Sequence, residues 1–455
     1  MTDTPTASPA TTYAEAERAL LDRWPETRLE PSLDRIRAFT ELLGEPQTAY
    51  PVIHLTGTNG KTSTSRMIDT LVRATGLRTG RFTSPHVESM TERISIDGEP
   101  VSEEQFLATY DEVVALAGLV DQEEPHPLSF FEMVVGMAFA AFADAPVDVA
   151  VVEVGMGGSW DATNVADARV AVILPIAVDH TAYLGARPVD IAVEKAGIIK
   201  PGSTVVVAEQ QPDVAEVIAD RAQEVGATVL WEGRDFGVEH RVAAVGGQMT
   251  RLQGLRGSYD EVFLPLYGAH QAHNAVIALA AVEAFLGGDD PLDAELVREG
   301  FEQVTSPGRL EVVRRSPSIV LDAAHNPHGA AALAEALEDS FAFEPLVGVI
   351  GVMADKDFEG VLAALEPVLA EVVCTQNRTP RAMPAEELAE VARGIFGVDR
   401  VHVAARLDDA IEQAATLAEQ GGVYGSGGVL VTGSVVTVGE ARTLLRPRGR
   451  RDDPS

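Results

Sequence analysis

Residues 51–65 read Pro-Val-Ile-His-Leu-Thr-Gly-Thr-Asn-Gly-Lys-Thr-Ser-Thr-Ser, and no other stretch limits the fold so tightly. The apolar run Val52, Ile53 and Leu55 predicts a buried strand. A small-residue turn follows. Then Met67, Ile68, Leu71 and Val72 recur at helical spacing. Gly57 and Gly60 lack side chains, so backbone N–H groups in the turn can close around an anion. Lys61 can reach outer phosphates, and the hydroxyl of Thr62 or Ser63 can touch Mg²⁺. The common phosphate loop has a glycine where this chain has Leu55; here the first glycine comes two residues later, at Gly57. Two readings stand at this point: a chance glycine-rich turn, or a specialised branch of the phosphate-loop proteins.

A chain of 455 residues predicts two or three domains. No segment reaches the ~20 apolar residues of a membrane span, and the Thr/Pro/Ala-rich residues 1–12 lack the character of a signal peptide and read as a flexible N-terminus. The single cysteine, Cys374, excludes an internal disulfide and fits a reducing cytoplasm. A formal charge of −34 argues against a nucleic-acid partner, and any anionic substrate must meet locally concentrated cations. Of 35 basic residues only Lys61, Lys195, Lys200 and Lys356 are lysines. Where arginine is the default cation, a retained lysine is weighted toward work that arginine cannot do.

Strand and helix signals alternate along residues 13–304, with Val-rich strands at 147–154, 170–176 and 203–208, the pattern of a mostly parallel sheet covered on both faces. Residues 13–45 read as helical, and short alternating runs within 235–268 predict a small antiparallel insertion. Thr305-Ser-Pro-Gly-Arg309 is the linker candidate. Beyond it the alternation restarts over 310–445 as a smaller α/β, Rossmann-like domain, and 446–455 read as a disordered tail.

In open α/β sheets ligands gather at the carboxyl ends of strands. Glu153, followed by Gly155-Met-Gly-Gly158, suits a Mg²⁺ ligand or merely a turn cap. Asp179-His180 and Ser84, in Ser-Pro-His, lie at comparable positions. Lys195, in Glu-Lys-Ala-Gly-Ile-Ile-Lys, could pair with a nearby acid; if buried and neutral, it could instead take up CO₂ as a carbamate. Asp322 and His325, in Asp-Ala-Ala-His-Asn-Pro-His-Gly, offer a carboxylate for ribose hydroxyls and an imidazole near phosphate, with Arg309 placed to reach a nucleotide.

In order, the chain carries Gly-Thr-Asn-Gly-Lys-Thr, Ser-Pro-His, Ser-Phe-Phe-Glu, Glu-Val-Gly-Met-Gly-Gly-x-x-Asp-Ala-Thr-Asn, Asp-His-Thr, Glu-Lys-Ala-Gly-Ile, His-Gln-x-x-Asn-Ala, Gly-Arg-Leu-Glu and Asp-x-Ala-His-Asn-Pro-His-Gly. From about residue 30 to 440 it resembles the folylpolyglutamate synthase/dihydrofolate synthase family, within the Mur-ligase-like ATP-dependent amide-forming enzymes. The resembled loop has the shorter glycine spacing, which accounts for Leu55.

The resemblance implies a cytoplasmic, monomeric ligase of folate biosynthesis and one-carbon metabolism. It would add L-glutamate to reduced folates and to dihydropteroate through an acyl phosphate, with ATP as co-substrate and two Mg²⁺ sites. A monofunctional folylpolyglutamate synthase or a peptidoglycan-precursor Mur ligase are the alternatives. It implies ATP contacts at Gly57, Thr58, Asn59, Gly60, Lys61, Thr62, Ser63, Asn274, Arg309 and Asp322, and catalytic roles for Lys61, Lys195 and His325. Metal ligands would be Ser84, Glu153, His180 and the carbamate of Lys195. The pterin end would meet Leu33, Asp34, Arg35, Ile36, Ser129, Phe130, Phe131, Glu132, Trp160, Asp161 and Ala162. Ser159 departs from the family, which often has Arg there.

Overall fold

The computed structural model describes residues 9–25, 31–420 and 425–446. The expected flexible N-terminus therefore lies largely outside the described residues, as does the expected tail beyond residue 446. The chain divides into two compact units: one of residues 1–242, 249–265 and 271–304, the other of 243–248, 266–270 and 305–455. The α/β expectation holds in both.

The first unit is built on eight strands: β1 (Val52–Thr56), β2 (Thr79–Phe82), β3 (Ile94–Ile96), β4 (Glu99–Pro100), β5 (Val149–Glu153), β6 (Ala168–Ile173), β7 (Thr204–Val207) and β8 (Thr228–Trp231). Their order is β4-β3-β2-β5-β1-β6-β7-β8. β2, β5, β1, β6, β7 and β8 run parallel, and β3 and β4 add an antiparallel edge. Every residue of β1 and β5 is buried, so apolar side chains serve both faces. Val52, Phe82, Ala150 and Val152 join one core cluster, while Ala171, Ile173, Val205 and Val207 join another.

β1 is flanked by β5 and β6, and chain order reverses there: the strand inserted on one side and the strand that follows on the other leave a crevice at their carboxyl ends. Leu55 is in register with Glu153, which brings that carboxylate level with the turn after β1.

One local finding differs from the sequence reading, and a second agrees with it. The expected helix over 13–45 is two short helices, Tyr13–Leu21 and Asp34–Leu42. Between them Trp24 makes a strand-like bridge to Ser129, and Pro25 and Pro31 are poor helix continuers. Three further strands, β9 (Gly237–Ala244), β10 (Gly247–Gln253) and β11 (Ser258–Leu264), form a separate sheet in the order β11-β10-β9. The two-residue connection Val245–Gly246 is short enough only for antiparallel neighbours.

On β2, Arg81 is 1 % exposed and pairs with Asp69 at 3.5 Å. The same carboxylate meets Arg73 at 3.6 Å and the hydroxyl of Thr79. Removing one member of a buried ion pair strands the other charge. Asp69→Ala is therefore expected to destabilise the protein by about 3–5 kcal/mol, read as a lower urea midpoint at unchanged slope.

The second unit holds β12 (Glu311–Arg315), β13 (Ser318–Leu321), β14 (Leu346–Ile350), β15 (Glu371–Cys374), β16 (Val401–Val403) and β17 (Gly428–Thr432) in the order β12-β13-β17-β14-β15-β16. Only β12 is antiparallel to its neighbour. Strand side chains alternate between two cores: Ile319, Leu321, Val347 and Val349 on one face, Val320, Leu346, Ile350 and Val372 on the other. Among the described residues no helix is long and apolar enough to cross a membrane.

Candidate functional site

The turn after β1 is held in one shape by its own contacts. Thr58 donates its N–H to Pro175 O at 3.0 Å and its hydroxyl to Ala177 O at 2.9 Å, tying the turn to the segment that leaves β6. A Cβ on Gly57 would lie 2.5 Å from that of Leu174. Gly60 has φ +87° and caps the helix Lys61–Ala74; a Cβ there would lie 2.7 Å from Asn274 Oδ1. Both glycines are thus required by close approach, and Gly60 also by its left-handed backbone. The turn delivers the first N–H groups of a 14-residue helix to the crevice, the arrangement that binds phosphate.

Two lysines converge on one carbonyl. Lys61 Nζ donates to Gly57 O at 3.0 Å and to Thr58 O at 3.2 Å, while Lys195 Nζ donates to the same Gly57 O at 2.9 Å. Lys195 ends the helix Pro188–Lys195 and is buried. Burial first, then the charge of Lys61, lowers its amine to about 7, against the opposing pull of Asp179, Asp161 and Glu194. Near neutrality a large share of this amine is uncharged and nucleophilic.

Thr62 Oγ1 donates to Glu153 Oε1 at 3.1 Å. Asn274 donates to Gln271 Oε1 at 3.1 Å, and Gln271 in turn donates to Ser63 Oγ at 3.3 Å, so the helix Ala269–Leu286 reaches the phosphate helix through a relay of side chains. Asp161 caps the turn after β5, accepting from Met156 N at 2.9 Å and Thr163 N at 3.0 Å; burial pushes its carboxyl up to about 6. Beneath it His54 Nε2 meets Thr163 Oγ1 at 2.8 Å, and burial holds that imidazole neutral, at about 3.

His180 opens a four-residue helix with φ +52°, its Nε2 3.9 Å from Asp179 Oδ2. Ser84 Oγ accepts from Arg93 Nη1 at 3.3 Å; the same guanidinium reaches His86 Nδ1 at 3.0 Å and lies over the Phe130 ring. Burial and that cation lower His86 to about 4.

A cavity of about 120 Å³ opens beside these groups. Arg35, Ser129, Phe131, Glu132, Trp160, Asp161 and Ala162 line it, as does Ser84. Arg35 Nε pairs with Glu132 Oε1 at 3.1 Å, and Glu132 Oε2 accepts Ser129 N at 2.7 Å, closing a capping box on the helix Phe130–Asp144. Four residues expected at the pterin end do not line this cavity. Ile36 and Phe130 are core side chains, Asp34 is exposed, and Leu33 faces a different opening. On a helix only one stripe can face a cavity, so four consecutive residues cannot all do so.

Trp24 and His126, whose rings pack at 4.8 Å, also line the cavity and belong to no motif read from the sequence. Gln271 was within reach, since it stands in the His-Gln-x-x-Asn-Ala motif.

In the second unit Asp322 follows β13. Its oxygens accept Leu310 N and Ala324 N, each at 2.9 Å, and burial raises its carboxyl despite the nearby charge of Arg309. Leu310 has φ +47°, a conformation this carboxylate helps to hold. His325 Nδ1 lies 2.9 Å from Ala323 O. A carbonyl only accepts, so Nδ1 carries a proton. Asn326 caps the helix Pro327–Ser340.

Among the described residues no three His, Cys, Asp or Glu side chains cluster as a preformed metal cage. The donors present around Thr62 and Glu153 are oxygens. That set suits a hard cation bound chiefly through substrate phosphates, as Mg²⁺ usually is.

Two family descriptions match the chain: "Mur ligase middle domain" over residues 55–282 and "Mur ligase, glutamate ligase domain" over 308–435. A Mycobacterium tuberculosis protein named dihydrofolate synthase/folylpolyglutamate synthase is 52% identical over 97% of this chain and 95% of its own. The structure titled Mycobacterium tuberculosis folylpolyglutamate synthase complexed with ADP superposes with a TM-score of 0.92 at 53% identity, covering 97% of this chain and 99% of that one. The structure of E. coli FolC in complex with DHPP and ADP superposes with a TM-score of 0.85 at 30% identity, covering 97% and 99%.

Proposed function

This chain belongs to the dihydrofolate synthase/folylpolyglutamate synthase family of Mur-type ligases, and from that premise we propose that it joins L-glutamate to reduced folates and to dihydropteroate at the expense of ATP. The observation that carries the reading is the glycine-closed turn at the sheet's reversal point, with Lys61 and Lys195 on one carbonyl. The relative whose title names DHPP and ADP supports both the nucleotide and the pteroate side.

A substrate carboxylate oxygen attacks the γ-phosphorus of ATP; the new O–P bond forms as the bond to the β-phosphate oxygen breaks, and ADP leaves. The glutamate amine then attacks the acyl carbon, phosphate departs, and the amine gives up a proton to leave an amide. The turn's N–H groups and Lys61 bind and orient the phosphates and neutralise charge that grows on their oxygens. Asn59, Gly60, Thr62 and Ser63 complete that cradle, with Asn274 bracing it over Gly60.

Mg²⁺ would be held by Ser84, Glu153, His180 and a carbamylated Lys195, and when bound it supplies charge neutralisation on the phosphates. Lys195 supports this role because its neutral amine can attack CO₂: the N–C bond forms, a proton leaves, and a cation becomes a carboxylate-like ligand. In the second unit Arg309 and Asp322 are the residues suited to a nucleotide, and His325 offers an imidazole to an anionic group. The pterin end takes the cavity lined by Arg35, Phe131, Glu132 and Trp160. The enzyme works as a monomer in the cytoplasm.

The test is ATP- and glutamate-dependent phosphate release with dihydropteroate and with tetrahydrofolate, run in parallel. Turnover of both is expected. Turnover of tetrahydrofolate alone reduces the reading to the monofunctional synthase, and turnover of neither overturns it.

A further inference from the structure

Each round of the proposed reaction lengthens a polyanion: one more γ-linked glutamate adds one amide and one α-carboxylate. The terminal carboxylate must return to the phosphate turn every time, so the residues already added need somewhere to go. A chain of net charge −34 repels such a tail unless cations are gathered locally.

One cleft gathers them. It has a volume of about 790 Å³, and Arg37, Lys200 and Arg221 line it together with Ser159 and Asn164. The three cations come from three elements: the helix Asp34–Leu42, the segment after the turn Ala196–Ile198, and the helix Pro212–Val225. They are close enough that Arg37 and Arg221 add to burial in lowering the Lys200 amine. Lys200 is held at the wall by donating to Asn164 O at 2.9 Å, and its nearest carboxylate, Asp167, is 4.0 Å away and exposed. Asp220 and Glu224 also line the cleft, and Arg221 pairs with Glu224 at 2.7 Å.

Asn164 braces the wall that carries Lys200. Its Nδ2 donates to Ser159 O at 3.0 Å and Gly197 O at 3.2 Å; two carbonyls fix the orientation of the amide, since the reverse would oppose oxygen to oxygen. Its Oδ1 is covered and without a hydrogen-bond partner. Neighbouring residues of two segments serve the cleft and the pterin-end cavity: Ser159 and Leu33 line the cleft, Trp160 and Arg35 the cavity. Ser159 also donates its hydroxyl to Glu194 O, one residue before Lys195.

We propose that this cleft holds the already-formed part of an oligo-γ-glutamyl tail, with Arg37, Lys200 and Arg221 taking its α-carboxylates. The proposal rests on the folate-ligase reading but concerns a separate set of residues. Arg37 and Arg221 are partly exposed, so Arg37→Gln with Arg221→Gln leaves the fold intact. In that double variant KM for tetrahydrofolate carrying three to five glutamates should rise roughly 4- to 25-fold, taking about 2- to 5-fold for each exposed cation. KM for dihydropteroate and for the monoglutamate should stay within about twofold, because neither has a tail to place. The penalty should shrink as salt rises.

Calorimetry with free tri-γ-glutamate reads the cleft apart from ligation: the native protein should bind it, more tightly than tri-α-glutamate, and the double variant should lose that binding. A KM change equal at every tail length, or none, overturns the tail site, as does failure of tri-γ-glutamate to bind. Failure of the native enzyme to turn over any folate would instead strike the parent reading.

Discussion

Lys195→Ala is expected to lower kcat by roughly 10²- to 10³-fold, the scale of losing one group that stabilises transferring charge. The substitution also opens a space beside Gly57 O, where Lys195 Nζ lies at 2.9 Å. A small carboxylate can enter that space and stand in for a carbamate, so formate or acetate should restore part of the rate. Lys195→Met fills the space with apolar atoms and should be equally slow and not rescued. Intact-protein mass spectrometry should find one added CO₂ on the native chain and none on either variant.

The sign of the pH response follows from the amine's position near 7. Only the uncharged amine attacks CO₂, so at fixed dissolved CO₂ the carbamate fraction should grow as pH rises through about 7. Full activity in Lys195→Ala, or a native chain without the added mass, removes the carbamate from the reading.

The fold was legible because its signals are local. Val-rich runs such as Val149–Val152 declare doubly covered strands, and Gly57 and Gly60 declare the turn between strand and helix. The crossing of β5 between β2 and β1 was not legible: strand order is decided by which faces bury one another, and no residue pattern encodes it. The phosphate side of the site lies within a few residues of one turn, so a motif captures it.

The pterin-end cavity is different. Trp24, Arg35, His126 and Trp160 come from four separated segments and meet only through packing. A resemblance named whole runs, such as 33–36, where the helix allows only one face to point inward; hence Arg35 lines the cavity and Ile36 is core. His54 was silent for the opposite reason. It sits inside a strand, reads as a polar interruption, and acquires meaning only when the turn of Asp161 and Thr163 folds over it.

The second large effect is expected from Lys61→Met, which keeps most of the length and apolar stem of the side chain and removes its charge. Two consequences should separate. Phosphoryl transfer should slow by roughly 10²- to 10³-fold, since a fixed cation at the phosphates is lost. Lys61 is also the charge that, after burial, most depresses the amine of Lys195. A neighbouring cation disfavours a second ammonium, so its removal must move that amine upward, toward the ordinary lysine range near 10.4.

At fixed CO₂ the variant should therefore carry less carbamate near neutrality and regain it only at higher pH, a shift readable by mass spectrometry or by ¹³C-labelled CO₂ in NMR without any turnover. A slow variant whose carbamate profile matches the native one would leave Lys61 as a phosphate ligand alone. A shifted profile would make the two lysines one device, in which the charge on the first keeps the second available for CO₂.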